Sequence, residues 1–337
     1  MKTDTTNATF SLPVYRSDAL SVVNGANLGD PLSFADELVP SDVYRLAPQV
    51  QMARLSVHPR NDGTLVVAPD TAAGSAGAQL HLDSCLTFMS PDGQTTEMLI
   101  LVEVDGDGGV TEVYALPLAA MQPRTDYALV TIDRDSTRAR LAELACVSFT
   151  RGTHITLANG AQKRIEDLRV GDRVLTRDEG PQEIRWIGQN TVRAVGEYAP
   201  IVITAGTLHN AHDLIVSPEH RLFIYQRSDA LGAGRSELLV RARHLVNGSS
   251  VYRQDGGFVD YFQLLFDSHQ IIYAEGIAAE TLLVDPRTRP ALPAELAETL
   301  SAGLNAHGHK PHMAYEVQES LLDRPDAAEI LRRASTR

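Results

Sequence analysis

At 337 residues, with 43% apolar and 22% charged positions, the chain is long enough for two domains that each bury a core. A net charge of −13 excludes a general nucleic-acid binder, which needs clustered Lys and Arg to neutralise phosphates. No apolar run approaches the roughly 18 residues of a membrane helix, and the two cysteines, Cys85 and Cys146, suggest neither a disulfide scaffold nor a cysteine-based metal site.

The first 20 residues carry acidic and polar side chains where a secretory signal has a basic patch and an apolar core. Classical export is not expected; the cytoplasm is the default location, with a non-classical secretion route left open. Residues 1–30 are rich in turn-forming text such as Asn24–Asp30. From Gln79 onward, "QLHLDSCLTFMS", "EMLILVEVDG" and "VTEVYALPL" alternate apolar and polar residues or carry β-branched runs, which predicts strands. Asp92-Gly93 and the "DGDGG" stretch from Asp105 supply turns between them. "DSTRARLAELA", Asp135 to Ala145, has a capping residue followed by strong helix formers, which fits either a short helix or an extended linker leading into Cys146.

Charge changes at this point. Residues 1–145 are net −10 and residues 146–337 only −3. The second region again predicts many short strands: "HITLA", "DRVLT", "EIRWIG", "APIVITAG", "DLIVS", "HRLFIYQ", "YFQLLF" and "QIIYAEG". It also hints at duplication, because Leu168, Gly171, Val174 and Gly180 recur at the same offsets as Leu245, Gly248, Val251 and Gly257. A His followed by apolar pairs, His220 and His269, lies downstream of each copy. Beyond Pro286 the text turns helical and Pro-punctuated. The expected organisation is an acidic, mostly β domain over 1–145, a pseudo-twofold all-β domain over 146–284, and a helical or partly disordered tail over 285–337.

The stretch from Cys146 to Thr176 carries Gly152-Thr153, Ile155, Gly160, Ile165, Leu168 and Gly171-Asp172 with Val174-Leu175. It resembles the opening of the Hint module shared by hedgehog C-terminal regions, inteins and many bacterial proteins. "LIVSPEHRLFI" is similar to the family's T-x-x-H block, and "LLFDSHQIIYAEGI" to its late strand.

The resemblance implies self-processing. A cysteine thiol at Cys146 would attack the carbonyl of the Ala145-Cys146 bond, turning an amide into a thioester by an N-to-S acyl shift. The leaving nitrogen must be protonated and the oxyanion held, and the resemblance assigns these tasks to His220 and the hydroxyl of Ser217. It makes His269 a helper of later steps, with Asp267 beside it as an orienting carboxylate. The substrate would be the chain's own N-terminal domain, with water or an unidentified nucleophile as acceptor.

Some matches to the family are missing. Inteins end in His-Asn, and the equivalent positions here are Glu280 and Thr281, so splicing is not implied. Hedgehog-type sterol transfer needs an Asp where this chain has Gln189-Asn190, and a late Cys where it has Ile272. Two further functions fit the same residues: a silent Hint-like scaffold, and acyl transfer or crosslinking to an external partner. No cofactor and no metal are expected. His307, His309 and His312 form a cluster that could hold an ion, but its Gly- and Pro-broken setting suits solvated side chains better.

Overall fold

Some strands alternate buried and exposed residues and others are buried throughout, and the computed structural model describes residues 10–60, 64–226, 229, 231–284, 288, 292, 315–317, 322 and 330. The chain divides into two units, Met1–Glu143 and Leu144–Arg337. Among the described residues the architecture is mainly β, with a single α-helix.

The first unit contains β1 (Phe10–Arg16), β2 (Leu20–Asn24), β3 (Val43–Leu46), β4 (Ala53–Pro59), β5 (Leu65–Val67), β6 (Gln79–Met89), β7 (Thr95–Val104), β8 (Val110–Pro117) and β9 (Asp126–Asp133). Their order is β2-β3-β9-β6-β5-β4-β1-β8-β7, and β7 pairs back onto β6. Six strands therefore close into an antiparallel barrel, which removes the exposed edges of an open sheet. The three strands expected from Gln79 to Leu118 are all present. The sequence pattern passed over β1, whose Pro13 argues against a central strand. Here β8 pairs with β1 only at Tyr15 and Arg16, so Pro13 escapes a second ladder.

Tyr44, Leu86, Phe88, Met98 and Ile100 form part of the core of this unit. Cys85 lies on β6, and burial pushes its thiol up to about 12, as expected of an inert filler. The Asp105 carboxylate accepts from the backbone N–H of Asp107 and Gly109, making the "DGDGG" stretch a closed turn. The helix α1 (Thr137–Ala145) occupies the stretch of helix formers that leads into Cys146.

The second unit contains β10 (Phe149–Thr150), β11 (His154–Thr156), β12 (Gln162–Arg164), β13 (Arg173–Leu175), β14 (Pro181–Glu183), β15 (Trp186–Arg193), β16 (Ile201–Ile203), β17 (Leu214–Val216), β18 (Arg221–Tyr225), β19 (Glu237–Arg241), β20 (Val251–Arg253), β21 (Phe258–Leu265), β22 (Ile271–Ala274) and β23 (Ile277–Glu280). One six-stranded sheet runs β15-β21-β10-β17-β16-β20 and the other β12-β11-β22-β23-β18-β19. In the second sheet, hairpin β11–β12 answers hairpin β18–β19 across the central pair β22–β23.

The sequence repeat lies on this symmetry. A one-turn 3-10 helix follows each hairpin, at Ile165–Asp167 and Ala242–Leu245. Gly171 (φ 94°) and Gly248 (φ 74°) then turn the chain in the left-handed region, where a side chain would be strained. Leu168, Leu245, Val174 and Val251 enter one shared core. Beyond these turns the copies diverge, since β13 forms a two-stranded sheet with β14 while β20 joins a six-stranded one.

Of the tail, Glu316 bridges to Leu239 on β19. The expected tail helices fall almost wholly outside the described residues, as does the His307–His312 cluster. Among the described residues no helix is long and apolar enough to cross a membrane.

Candidate functional site

Strand β17 ends at Val216, and the tight turn after it carries Ser217 and His220. The backbone N–H of His220 donates to the Ser217 carbonyl at 3.0 Å, which closes the turn on itself. Both side chains converge on Ser148. Its backbone N–H donates to Ser217 Oγ at 3.0 Å, and its carbonyl accepts from His220 Nδ1 at 3.0 Å. The Ser217 backbone N–H reaches the same carbonyl at 2.9 Å. The hydroxyl of Ser217 also donates to the carbonyl of Cys146 at 3.4 Å, and Gln263 Nε2 donates to Ser148 Oγ at 3.3 Å. The peptide from Cys146 to Ser148 is thus clamped by the S-x-x-H turn, with Ser148 itself 3% exposed.

The electrostatics of His220 follow from its burial. The ring is fully buried, with Phe149 packed edge-on against it at 4.4 Å between centroids. Loss of water lowers its pKa to about 4, against opposing pulls from the Ser148 carbonyl and from Glu280. The ring is neutral at pH 7. A carbonyl only accepts, so Nδ1 carries the proton and Nε2 keeps its lone pair. That Nε2 has no hydrogen-bond partner among the described residues.

Cys146 lies in different chemical surroundings. It is 1% exposed and packs in an apolar cluster with Leu265, Leu282, Val284 and Leu292. Ala145 ends α1, so the Ala145-Cys146 bond sits at a helix C-terminus. The five side chains singled out in the sequence do not form one cluster. Ser217 and His220 meet at Ser148. Asp267, expected to orient His269, is instead 70% exposed in its side chain and pairs in two places with Arg185, at 2.9 and 2.8 Å. The carboxylate at His269 is that of Glu280, whose Oε1 lies 2.8 Å from His269 Nε2.

Glu280 is fully buried, and its Oε1 also accepts from Arg221 Nη2 at 2.8 Å. Burial alone would raise its carboxyl, but the adjacent charges of Arg221 and His269, with their hydrogen bonds, override that and hold it at about 2. Arg221 is joined in turn by Glu316, which also pairs with Arg241 at 3.0 Å. This buried chain of charges backs the strand that begins just after His220.

Two participants were missed in the sequence. Glu280 stands alone in the apolar run "GIAAETLLV", and an isolated carboxylate in such a run signals a paired buried charge. Ser148 gave no comparable signal. The spacing of Ser217 and His220 fixes that they act together, whereas which peptide they touch depends on the pairing of β10 with β17 at Phe149↔Val216.

Residues 147–286 match the family model described as Hint domain. Among curated proteins, a V-type proton ATPase catalytic subunit from Candida tropicalis is 32% identical over 92 residues, covering 26% of this chain and 8% of that protein. The chain therefore matches less than a tenth of that relative's length. Crystal structures of the gp41-1 intein and of a substituted form of it are 14% identical at a TM-score of 0.25, covering 40% of this chain and 97% and 98% of theirs. Likeness at that level does not bear on mechanism.

Proposed function

We propose, for a chain whose residues 147–286 match the Hint-domain model, that it cuts its own backbone at the Val147-Ser148 bond, by an N-to-O acyl shift onto Ser148. The observation that carries this is the convergence of Ser217 Oγ and His220 Nδ1 on the two sides of Ser148, each at 3.0 Å.

In the shift, Ser148 Oγ forms a bond to the Val147 carbonyl carbon and the bond from that carbon to Ser148 N breaks. One proton moves from Ser148 Oγ to Ser148 N, and an ester replaces the amide. Ser217 Oγ stands at the nitrogen that must gain the proton and can relay it, which is general acid–base work at hydrogen-bond distance. His220 holds the same peptide through the Ser148 carbonyl and keeps it oriented. Because the ring is neutral and dry at pH 7, its lone pair does not compete by binding a solvent proton. Water or an external nucleophile then resolves the ester, releasing the residues upstream of Ser148.

A cysteine nucleophile at Cys146 remains the rival, since Ser217 Oγ also reaches the Cys146 carbonyl. The two are separated chemically. Wild type, Ser148→Ala, Cys146→Ala and His220→Gln are followed by intact mass with hydroxylamine or dithiothreitol. An ester predicts cleavage that hydroxylamine accelerates and dithiothreitol does not, abolished in Ser148→Ala and retained in Cys146→Ala. Cleavage driven by thiol and lost in Cys146→Ala would establish the thioester route instead. A wild type that stays whole under every condition would leave a silent scaffold.

A further inference from the structure

At the tip of hairpin β22–β23, opposite the end that carries Glu280, three side chains from distant parts of the sequence meet. Glu275 occupies the turn with a positive φ of 49°, and its side chain is only 2% exposed. Its Oε1 lies 2.9 Å from His154 Nδ1 on β11 and accepts from the His154 backbone N–H at 2.7 Å. Its Oε2 lies 2.9 Å from His212 Nδ1, in the loop before β17. The two rings are 5.2 Å apart between centroids, tilted by 37°. All three potential ligand atoms fall within 4.8 Å of one another.

The scaffold under this cluster is fixed. The 4%-exposed amide of Asn210 donates to the carbonyls of Ile203, Thr204 and His212, at 3.0, 3.0 and 2.7 Å, pinning the loop. The Ala211 N–H donates to the Glu275 carbonyl at 3.0 Å, tying that loop to the hairpin. The Glu275 N–H donates to the His154 carbonyl at 2.9 Å. The three backbone segments are thus tied together by hydrogen bonds, leaving the side chains to converge.

We propose that His154, His212 and Glu275 form a binding site for a divalent transition-metal ion of the zinc class, with one coordination position open to solvent. Two imidazole nitrogens and one carboxylate suit zinc and its neighbours, whereas calcium and magnesium prefer all-oxygen sets. Tetrahedral zinc with bonds of about 2.0–2.1 Å sets its donors about 3.3 Å apart. The two 2.9 Å contacts go to different carboxylate oxygens and the donor atoms lie within 4.8 Å of one another, so they shift towards that spacing as the ion enters. His212 supplies that movement, its side chain being 69% exposed, and the same exposure admits water to the fourth position. A proton on either Nδ1 must leave for Nε2 or solvent when the metal binds, so affinity falls with acid. The three residues come from β11, a loop and a hairpin turn, and no local spacing announces them.

The test uses the full chain carrying His307→Ala, His309→Ala and His312→Ala, which removes the other histidine-rich segment. Zn2+ is titrated in competition with a chromophoric chelator. One ion per chain is expected, with affinity reduced at least about tenfold by His212→Ala and again by Glu275→Gln, since loss of even a residue that only supports a metal ligand costs about 10–100-fold. His212 is exposed, so its variant keeps the fold, which circular dichroism checks. Zn2+ should raise the melting temperature of the parent chain and not of His212→Ala. A parent chain that binds no zinc overturns the proposal. So does a His212→Ala chain that binds it with unchanged affinity.

Discussion

Glu275 and Glu280 bracket the same strand, β23, and both are buried, yet they are neutralised in opposite ways. Glu280 faces a guanidinium that is charged at every accessible pH, with His269 as second partner. Glu275 faces two imidazoles and a backbone N–H, none of which carries a permanent charge. Burial opposes both carboxylates, and in both the partners lower the carboxyl below its ordinary value. A fixed cation makes a strut, while imidazoles make a socket that can exchange a proton for something else. The strut lies behind the turn bearing Ser217 and His220; the socket lies at the far tip of the hairpin, partly open to water.

The largest expected effect comes from breaking the strut. Arg221→Ala should lower stability by about 3–5 kcal/mol, because it strands a buried carboxylate; chemical denaturation measures it. A loss of under about 1 kcal/mol would mean that Arg221 is not what neutralises Glu280.

Acid titration comes next. His220 has a folded pKa of about 4 against an ordinary 6.5, so the unfolded chain binds the extra proton first as pH falls. Its contribution is full above about pH 6.5 and lost progressively down to about 4, a loss of about 2 kcal/mol between pH 7 and 5. His220→Gln should flatten this segment of the stability profile. Glu280 acts in a lower window. Its folded carboxyl is held below the unfolded value, so its contribution is present above about pH 4.5 and disappears as pH falls towards 2.

A smaller effect is expected at the socket. Glu275→Gln should cost about 1–2 kcal/mol, since the amide still accepts one hydrogen bond while the His partners lose an anion. His212→Ala, at an exposed position, should cost less than about 1 kcal/mol. If the two ends of β23 respond equally, the contrast between strut and socket fails.

Much of the fold was legible from local pattern. The helix formers after Asp135 became α1, the alternation from Gln79 to Leu118 became three barrel strands, and the repeated Leu-Gly-Val-Gly offsets became matching turns and core contacts. Short strands without alternation, such as β10, β12 and β20, were not visible, because tertiary pairing rather than propensity defines them. The S-x-x-H turn was legible as a unit, but its target was not. The family resemblance singled out Cys146, which packs among Leu265, Leu282 and Val284, while Ser217 and His220 make their hydrogen bonds with Ser148, two residues on. Glu275 and its histidines were unreadable for the same reason: only the strand pairing Ile155↔Ala274 brings β11 and β22 together.

The central claim is that the clamped peptide at Ser148 is the one that breaks. Intact mass and N-terminal sequencing of the smaller products after hydroxylamine treatment test it most directly. The account predicts a C-terminal fragment that begins at Ser148 and is absent from Ser148→Ala. A fragment beginning at Cys146, still formed by Ser148→Ala, would contradict it.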